Sequence, residues 1–223
     1  MPFTTLFERL LELPLFQGMS HNDLNTIVGQ TKFGFHKVQR GKILIREGEA
    51  CEHIFLLTSG KLCALTQADD NSYSLEETIH APAILQAERL FGLTQRYTKT
   101  FTAIEDSNLI SINKQEVLRL SEQNFIFRLN LLNIISTHSQ RADHQPWRIP
   151  PKSIRSKIIR FVESRSLRPA GTKTLHIKME TLASYIAESR LNVSRELRQM
   201  QRNGEIECTR GVIHIPALEQ LIR

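Results

Sequence analysis

Apolar and polar positions along the chain change their period at about residue 114 and again near residue 146. From about 31 to 112 they alternate or come in short apolar runs, the period-two signature of strands. Phe33, Phe35 and Val38 nearly alternate with polar residues. After Gly41 comes Ile43-Leu44-Ile45, then Gly48-Glu49. Ile54-Phe55-Leu56-Leu57 is closed by Ser59-Gly60, and Leu62, Ala64 and Thr66 resume the alternation. Thr100–Ile104 and Leu109–Ile112 read as further strands, and Asp69-Asp70-Asn71-Ser72 as a turn. Short strands at this spacing predict an antiparallel sandwich or jelly roll. Ahead of it, Leu6, Leu10, Leu13, Leu24 and Ile27 fall at roughly helical spacing.

Residues 114–143 lack Gly and Pro, and Val117, Leu120, Ile126, Leu129, Leu132 and Ile135 recur every three or four positions. The segment is long for a helix lying on a small sandwich. Its stripe Ile126, Leu129, Leu132 and Ile135 is the candidate surface for a twin helix, hence a homodimer; an ordinary core-facing helix is the alternative. Three prolines within residues 146–151 end it. A second helix is expected to start there, with Pro151 in its first turn and Ile154, Ile158, Phe161 and Val162 on its inner face. The expected organisation is an α+β chain. Residues 1–112 form a jelly-roll domain with N-terminal helices, 113–145 a dimerisation helix, 146–151 a hinge and 152–223 a winged helix-turn-helix.

The segment from Glu180 to Leu197 carries the helix-turn-helix pattern. Leu182 and Ile186 lie one turn apart on the inner face of a first helix. Ala183 sits where two helices cross closely, and Ala187 in the turn between them. Ser189 is a good N-cap for the second helix, whose apolar face is Val193, Leu197 and Met200, with Gly204 just past its end. Its outward face carries Arg190 and Arg195, which can fork onto guanine O6 and N7. Asn192 and Leu191 complete the candidate base-reading set. Ser189, Ser194, Arg198, Lys178 and Arg210 are the candidate phosphate contacts. Lys173–Met179 reads as a strand before the first helix. Ile206–Thr209 and Val212–Ile215, joined by Arg210-Gly211, form a hairpin wing.

Charge agrees with this placement. The 223 residues carry a net +6; residues 151–223 hold 14 Lys/Arg against 7 Glu, or +7, and residues 1–150 hold 15 against 16 acidic residues, or −1. A basic C-terminal third suits the release of counterions from double-stranded DNA. The N-terminus does not read as a secretory signal, and no stretch approaches the ~20 apolar residues of a membrane span. Cys51, Cys63 and Cys208 are too far apart for a metal or disulfide framework. The expected setting is cytoplasmic, with no membrane partner.

These features together carry a resemblance over about residues 12–220. Gly41-Lys42-Ile43-Leu44-Ile45-Arg46-Glu47-Gly48-Glu49 and Ile54–Leu62 resemble the glycine-punctuated strand pairs of the cyclic-AMP receptor protein/fumarate-nitrate reduction regulator (Crp/Fnr) family. Ser189-Arg190-Leu191-Asn192-Val193-Ser194-Arg195 resembles its recognition-helix pattern Ser-Arg-x-x-Val-x-Arg. The resemblance implies a bacterial transcription regulator with a jelly-roll sensor domain. It also implies a symmetric dimer on a roughly palindromic operator with half-sites about 34 Å apart. RNA polymerase and a small-molecule effector are further candidate partners.

Two departures qualify that picture. Cyclic-nucleotide binders of the family carry Gly-Glu and, further on, Arg-Ser or Arg-Thr. Here the two places read Leu85-Gln86-Ala87-Glu88-Arg89 and Arg96-Tyr97-Thr98-Lys99, with Tyr97 at the arginine position. One-residue slips would recruit Glu88 and Arg96. Glu88, Arg96 and Tyr97 are therefore the candidate effector residues, within a segment, Pro82–Ala103, whose apolar residues point to a ligand other than a cyclic nucleotide. In the recognition helix Leu191 stands where the family often has Glu, so cytosine N4 loses an acceptor. The four-cysteine pattern of an iron–sulfur sensor is absent. No catalytic constellation, metal site or cofactor is expected. A ligand-binding module acting on a protein partner is the alternative function.

Overall fold

The computed structural model describes residues 3–144 and 149–222. Residues 146–148 of the expected hinge lie outside the described residues. The fold is α+β: an antiparallel sandwich, a long helix and a C-terminal helix-turn-helix domain. The chain forms two compact units, Met1–Leu62 with His80–Pro146, and Cys63–Ile79 with Trp147–Arg223. The units divide elsewhere than the sequence reading, which kept residues 63–79 with the sandwich.

In the first unit α1 (Phe3–Leu11) and α2 (His21–Gln30) precede the strands. Ser20 caps α2 by accepting from the Asp23 N–H while Asp23 accepts from the Ser20 N–H, a reciprocal pair. Strands β1 (Phe33–Val38), β2 (Ile43–Ile45) and β3 (His53–Ser59) follow. Then come β4 (Lys61–Gln67) and β5 (Tyr73–His80), most of whose residues belong to the second unit, and β6 (Ala83–Leu85), β7 (Thr100–Ala103) and β8 (Ser107–Asn113). One sheet has the order β1-β8-β3-β6, and β2 pairs antiparallel with β7. Ile54, Leu56, Ile112 and Phe101 are fully buried, Ile45 and Ile110 nearly so. Gly60 closes β3 at φ +95°, and a Cβ there would lie 2.8 Å from the Ser107 Cα, so only glycine fits the turn.

The single helix expected over 114–143 is two. α3 (Lys114–Gln123) ends at Asn124, which is extended, and α4 (Phe125–His144) begins beyond it. The Asn124 side chain accepts from the Phe127 N–H at 2.9 Å, so one polar residue stops one helix and caps the next. α4 packs on the N-terminal segment: the Phe16 and Phe127 rings lie 5.7 Å apart, and Asn130 donates to the Leu15 and Gln17 carbonyls. Phe127 and Leu131 are buried, while Phe125, Leu129 and Leu132 are exposed. At 100° per residue those three share one stripe. Ile126 and Ile135 sit about 90° to either side and are half-buried, so the outward apolar face runs through Phe125, which the sequence reading did not include, rather than through those two isoleucines.

The second unit contains α5 (Ile154–Glu163), β9 (Lys173–Ile177), α6 (Met179–Tyr185), α7 (Arg190–Arg202), β10 (Glu207–Thr209), β11 (Val212–Ile215) and α8 (Leu218–Leu221). α5 starts after Ser153, its N-cap, so Pro151 lies outside the helix. Strands β10, β11, β9, β5 and β4 are hydrogen-bonded neighbours in that order. β5 and β6 are strands the sequence reading did not assign. Glu77 and Lys173 stand opposite each other in the β5–β9 register. Both side chains are buried and their charged atoms are 3.3 Å apart. Glu77 also accepts from the Leu167 and Arg168 N–H groups, and Lys173 donates to the Ala170 carbonyl at 2.7 Å. Beside them Arg165 lies 3.8 Å from the Phe161 ring centre, and its Nε donates to the Tyr73 hydroxyl at 2.9 Å.

Removing one member of a buried ion pair strands the other charge. Lys173→Met is expected to lower stability by about 3–5 kcal/mol, and the double variant Glu77→Gln/Lys173→Met to recover most of it, read by urea denaturation. Burial, with Glu76 and Glu77 nearby, pushes the Cys63 thiol on β4 up to about 11. Only the thiolate alkylates, so iodoacetamide labelling of the Cys63 peptide should be slow at pH 8. It should accelerate as pH rises through about 11, as measured by mass spectrometry of the folded protein.

Candidate nucleic-acid interface

The surface assembled from α6, α7 and the wing follows from local chemistry. α6 ends at Tyr185, and the chain turns through Ile186–Ser189. Ala187 takes φ 53°, a left-handed backbone that a small side chain tolerates best. The Glu188 N–H donates to the Ala183 carbonyl at 3.0 Å, closing the turn. Ala183 is 5% exposed at the helix crossing. Ser189 then caps α7, its Oγ accepting from the Asn192 N–H at 3.2 Å. Val193, Leu197 and Met200 face inward and are buried with Leu182 and Ile186. Gly204, at φ +72°, ends the helix past Asn203.

Everything on the opposite side of α7 points outward. Arg190, Leu191, Asn192, Arg195, Arg198 and Ser189 are all exposed, and Ser194 is half-buried. Leu191 is 60% exposed, an apolar side chain offered to solvent at the start of the helix. Lys178 precedes α6 as its N-cap residue without a side-chain cap bond, and Arg210 sits in the β10–β11 turn; both are exposed. The base-reading and phosphate residues read from the sequence thus lie on α7, at the start of α6 and in the wing, none of them in the core.

Three ion pairs went unread because their partners are distant or lie on another helix. Arg190 Nε is 3.1 Å from Glu180 on α6, with both side chains well exposed. Such a pair is worth under about 1 kcal/mol, so it orients the guanidinium without locking it away from DNA. Lys157 on α5 bonds Glu188 in the turn at 2.5 Å, and Arg155 bonds Glu205 beyond α7 at 3.0 Å. These two brace both ends of α7 against α5. A signal was present, since α5 presents basic residues and the turn and helix end present acids, but spacing alone does not pair them.

The effector residues fare differently. Tyr97 is buried and donates to the His53 carbonyl at 2.6 Å; burial raises its pKa far above the usual phenol range. Arg96 is exposed and donates to the Gly48 carbonyl at 2.7 Å. Glu88 lies 3.9 Å from Arg89. Tyr97 and Arg96 bond to backbone carbonyls, while Glu88 Oε1 and Arg89 Nε are buried without a hydrogen-bond partner among the described residues. Gln86 takes the central place instead. It is buried in a left-handed conformation at φ 41°, its Nε2 donating to Thr98 Oγ1 at 2.6 Å and its Oε1 accepting from the Thr98 N–H. Ala83, Leu85 and Leu90 of the same segment belong to the core, whereas Leu93 is wholly exposed.

Among the described residues no helix is long and apolar enough to cross a membrane. A cyclic nucleotide-binding domain model matches residues 35–124, and a Crp-like helix-turn-helix domain model matches residues 156–223. No curated protein matches the chain. Among solved structures, the chain is similar to the catabolite activator protein of Thermus thermophilus, at 18% identity, 94% of this chain, 96% of that one and a TM-score of 0.51. The sensor domain of the transcriptional regulator DNR from Pseudomonas aeruginosa matches at 21% identity, 69% of this chain, all of that one and a TM-score of 0.53. The N-terminal domain of a transcriptional regulator from Streptomyces coelicolor matches at 16% identity, 65% of this chain, 99% of that one and a TM-score of 0.51. These likenesses concern the fold. A cyclic nucleotide-binding-type sandwich and a Crp-like helix-turn-helix follow one another in a single chain, and the protein belongs to the Crp/Fnr family of DNA-binding transcription regulators.

Proposed function

We propose that two copies of this chain pair through α4 and present α7 twice to successive major grooves of a palindromic operator. The observation that carries the reading is the capped α7, with Arg190 and Arg195 exposed on one face and Val193, Leu197 and Met200 buried on the other. Arg190 and Arg195 read guanine, Leu191 packs on a thymine methyl, and Asn192 contacts a base edge. Ser189, Ser194, Lys178, Arg198 and Arg210 hold phosphates and set the register. The exposed stripe Phe125, Leu129 and Leu132 supports the pairing, because apolar residues at that spacing need a partner surface. The protein acts in the cytoplasm by binding rather than catalysis. RNA polymerase is a partner where the operator adjoins a promoter.

The proposed functional layout is a sensor sandwich, a dimerisation helix, a hinge and a reading domain. The sandwich responds to a signal other than a cyclic nucleotide. That reading rests on the absence of Gly-Glu in residues 85–89 and on Tyr97 at the arginine position, its hydroxyl bonded to the His53 carbonyl.

Two measurements test the proposal. On an operator found by in vitro selection, Arg190→Ala and Arg195→Ala should each lose about 1–3 kcal/mol of discrimination at one base pair. Arg198→Ala should weaken all duplexes alike and reduce the salt slope by about one. Loss of binding without change in base preference for the first two would remove their reading role. Leu129→Asp/Leu132→Asp should sediment as a monomer and bind a half-site no more weakly than the wild type. A dimer that survives both substitutions refutes pairing through α4.

A further inference from the structure

The outer face of the β1-β8-β3 sheet carries a concavity of about 420 Å³, within the roughly 300–1,000 Å³ range of small-molecule sites. None of its lining residues belongs to the segment 82–103. Phe35 and Ile110, opposite each other across β1 and β8, lie in it with Leu109, and Leu6 of α1 forms a wall. Phe35 remains 62% exposed, whereas Ile110, Leu109 and Leu6 are buried, so the Phe35 ring is the apolar surface the pocket leaves open. Two residues along β1 the character changes. Lys37 faces Asn108 in the register, Thr58 Oγ1 donates to the Asn108 carbonyl, and Arg9 Nη1 lies 3.5 Å from Thr58 Oγ1. Among the described residues no carboxylate pairs with Arg9 or Lys37, and none lines the pocket. His36 adds no charge near neutrality: burial and the neighbouring His53 hold it below the usual histidine range, and Nε2 bonds Ser111 at 2.8 Å.

Uncompensated cations at one end and an open aromatic ring at the other call for a ligand with the opposite arrangement. We propose that this pocket binds a small amphipathic monoanion of the medium-chain carboxylate class. Its chain lies over the exposed Phe35 ring, and its carboxylate sits between Arg9 and Lys37, where charge-assisted bonds are strongest. A nucleobase would find few polar groups at that ring to match its edges.

The site does not depend on the DNA-reading surface, so the test separates the two. Decanoate is titrated into the full-length protein by isothermal titration calorimetry, below its micelle-forming concentration. The expected result is saturable one-to-one binding that weakens at least tenfold in Lys37→Glu and is kept in Lys37→Arg. Decanol, with the same chain and no charge, should bind at least tenfold more weakly. Lys37 is exposed, so both variants should fold, which their operator binding checks independently. Absence of saturable binding, or equal affinity in wild type and Lys37→Glu, overturns the proposal.

Discussion

The buried pair Glu77–Lys173 sets the register on which the second unit is built. Two ionised groups out of water cost several kcal/mol each, and only a close partner with full hydrogen bonding offsets that. Here Glu77 accepts from two backbone N–H groups besides the ammonium, and Lys173 donates a hydrogen bond to a backbone carbonyl as well. A slip of one residue between β5 and β9 would bury each charge against the wrong neighbour. The same carboxylate holds the Leu167–Arg168 backbone, just beyond α5. From α5, Lys157 and Arg155 reach the two ends of α7. The orientation of the reading helix is thereby linked to one internal electrostatic constraint through a short run of named contacts.

The same pair explains what the sequence hid. Along β5 the buried positions are Leu75, Glu77 and Ile79, a regular period-two face with an acid in its middle. Read as hydrophobicity, Glu76-Glu77 breaks the pattern, and the strand goes unassigned. The helix-turn-helix was legible because its rules are local: a small residue at a crossing, a tolerated left-handed turn, a hydroxyl cap and an apolar stripe. The braces Lys157–Glu188 and Arg155–Glu205 were not, since each joins residues 31 and 50 positions apart. Likewise the single long helix failed at Asn124, where neither Gly nor Pro marks the break. An asparagine that caps forward looks like any other polar residue on a helix surface.

In the sandwich the sequence revealed a loss but not its replacement. The missing Gly-Glu pair was plain; that Gln86 would take glycine's left-handed backbone and turn its amide onto Thr98 was not. An amide that both donates to and accepts from one threonine satisfies itself inside the fold. Tyr97 behaves alike, spending its hydroxyl on the His53 carbonyl. Gln86 and Tyr97 are thus satisfied by the chain itself, while Glu88 Oε1 and Arg89 Nε beside them are buried without a hydrogen-bond partner among the described residues.

The second unit draws on two stretches of chain separated by 67 residues, Cys63–Ile79 and Trp147–Arg223. It cannot be completed while only the first stretch has left the ribosome, and until the later residues arrive β5 offers an unpaired edge to neighbouring chains. Excised alone, the C-terminal stretch would carry a bare β9 edge and would lose Glu77, the carboxylate 3.3 Å from the buried Lys173 ammonium.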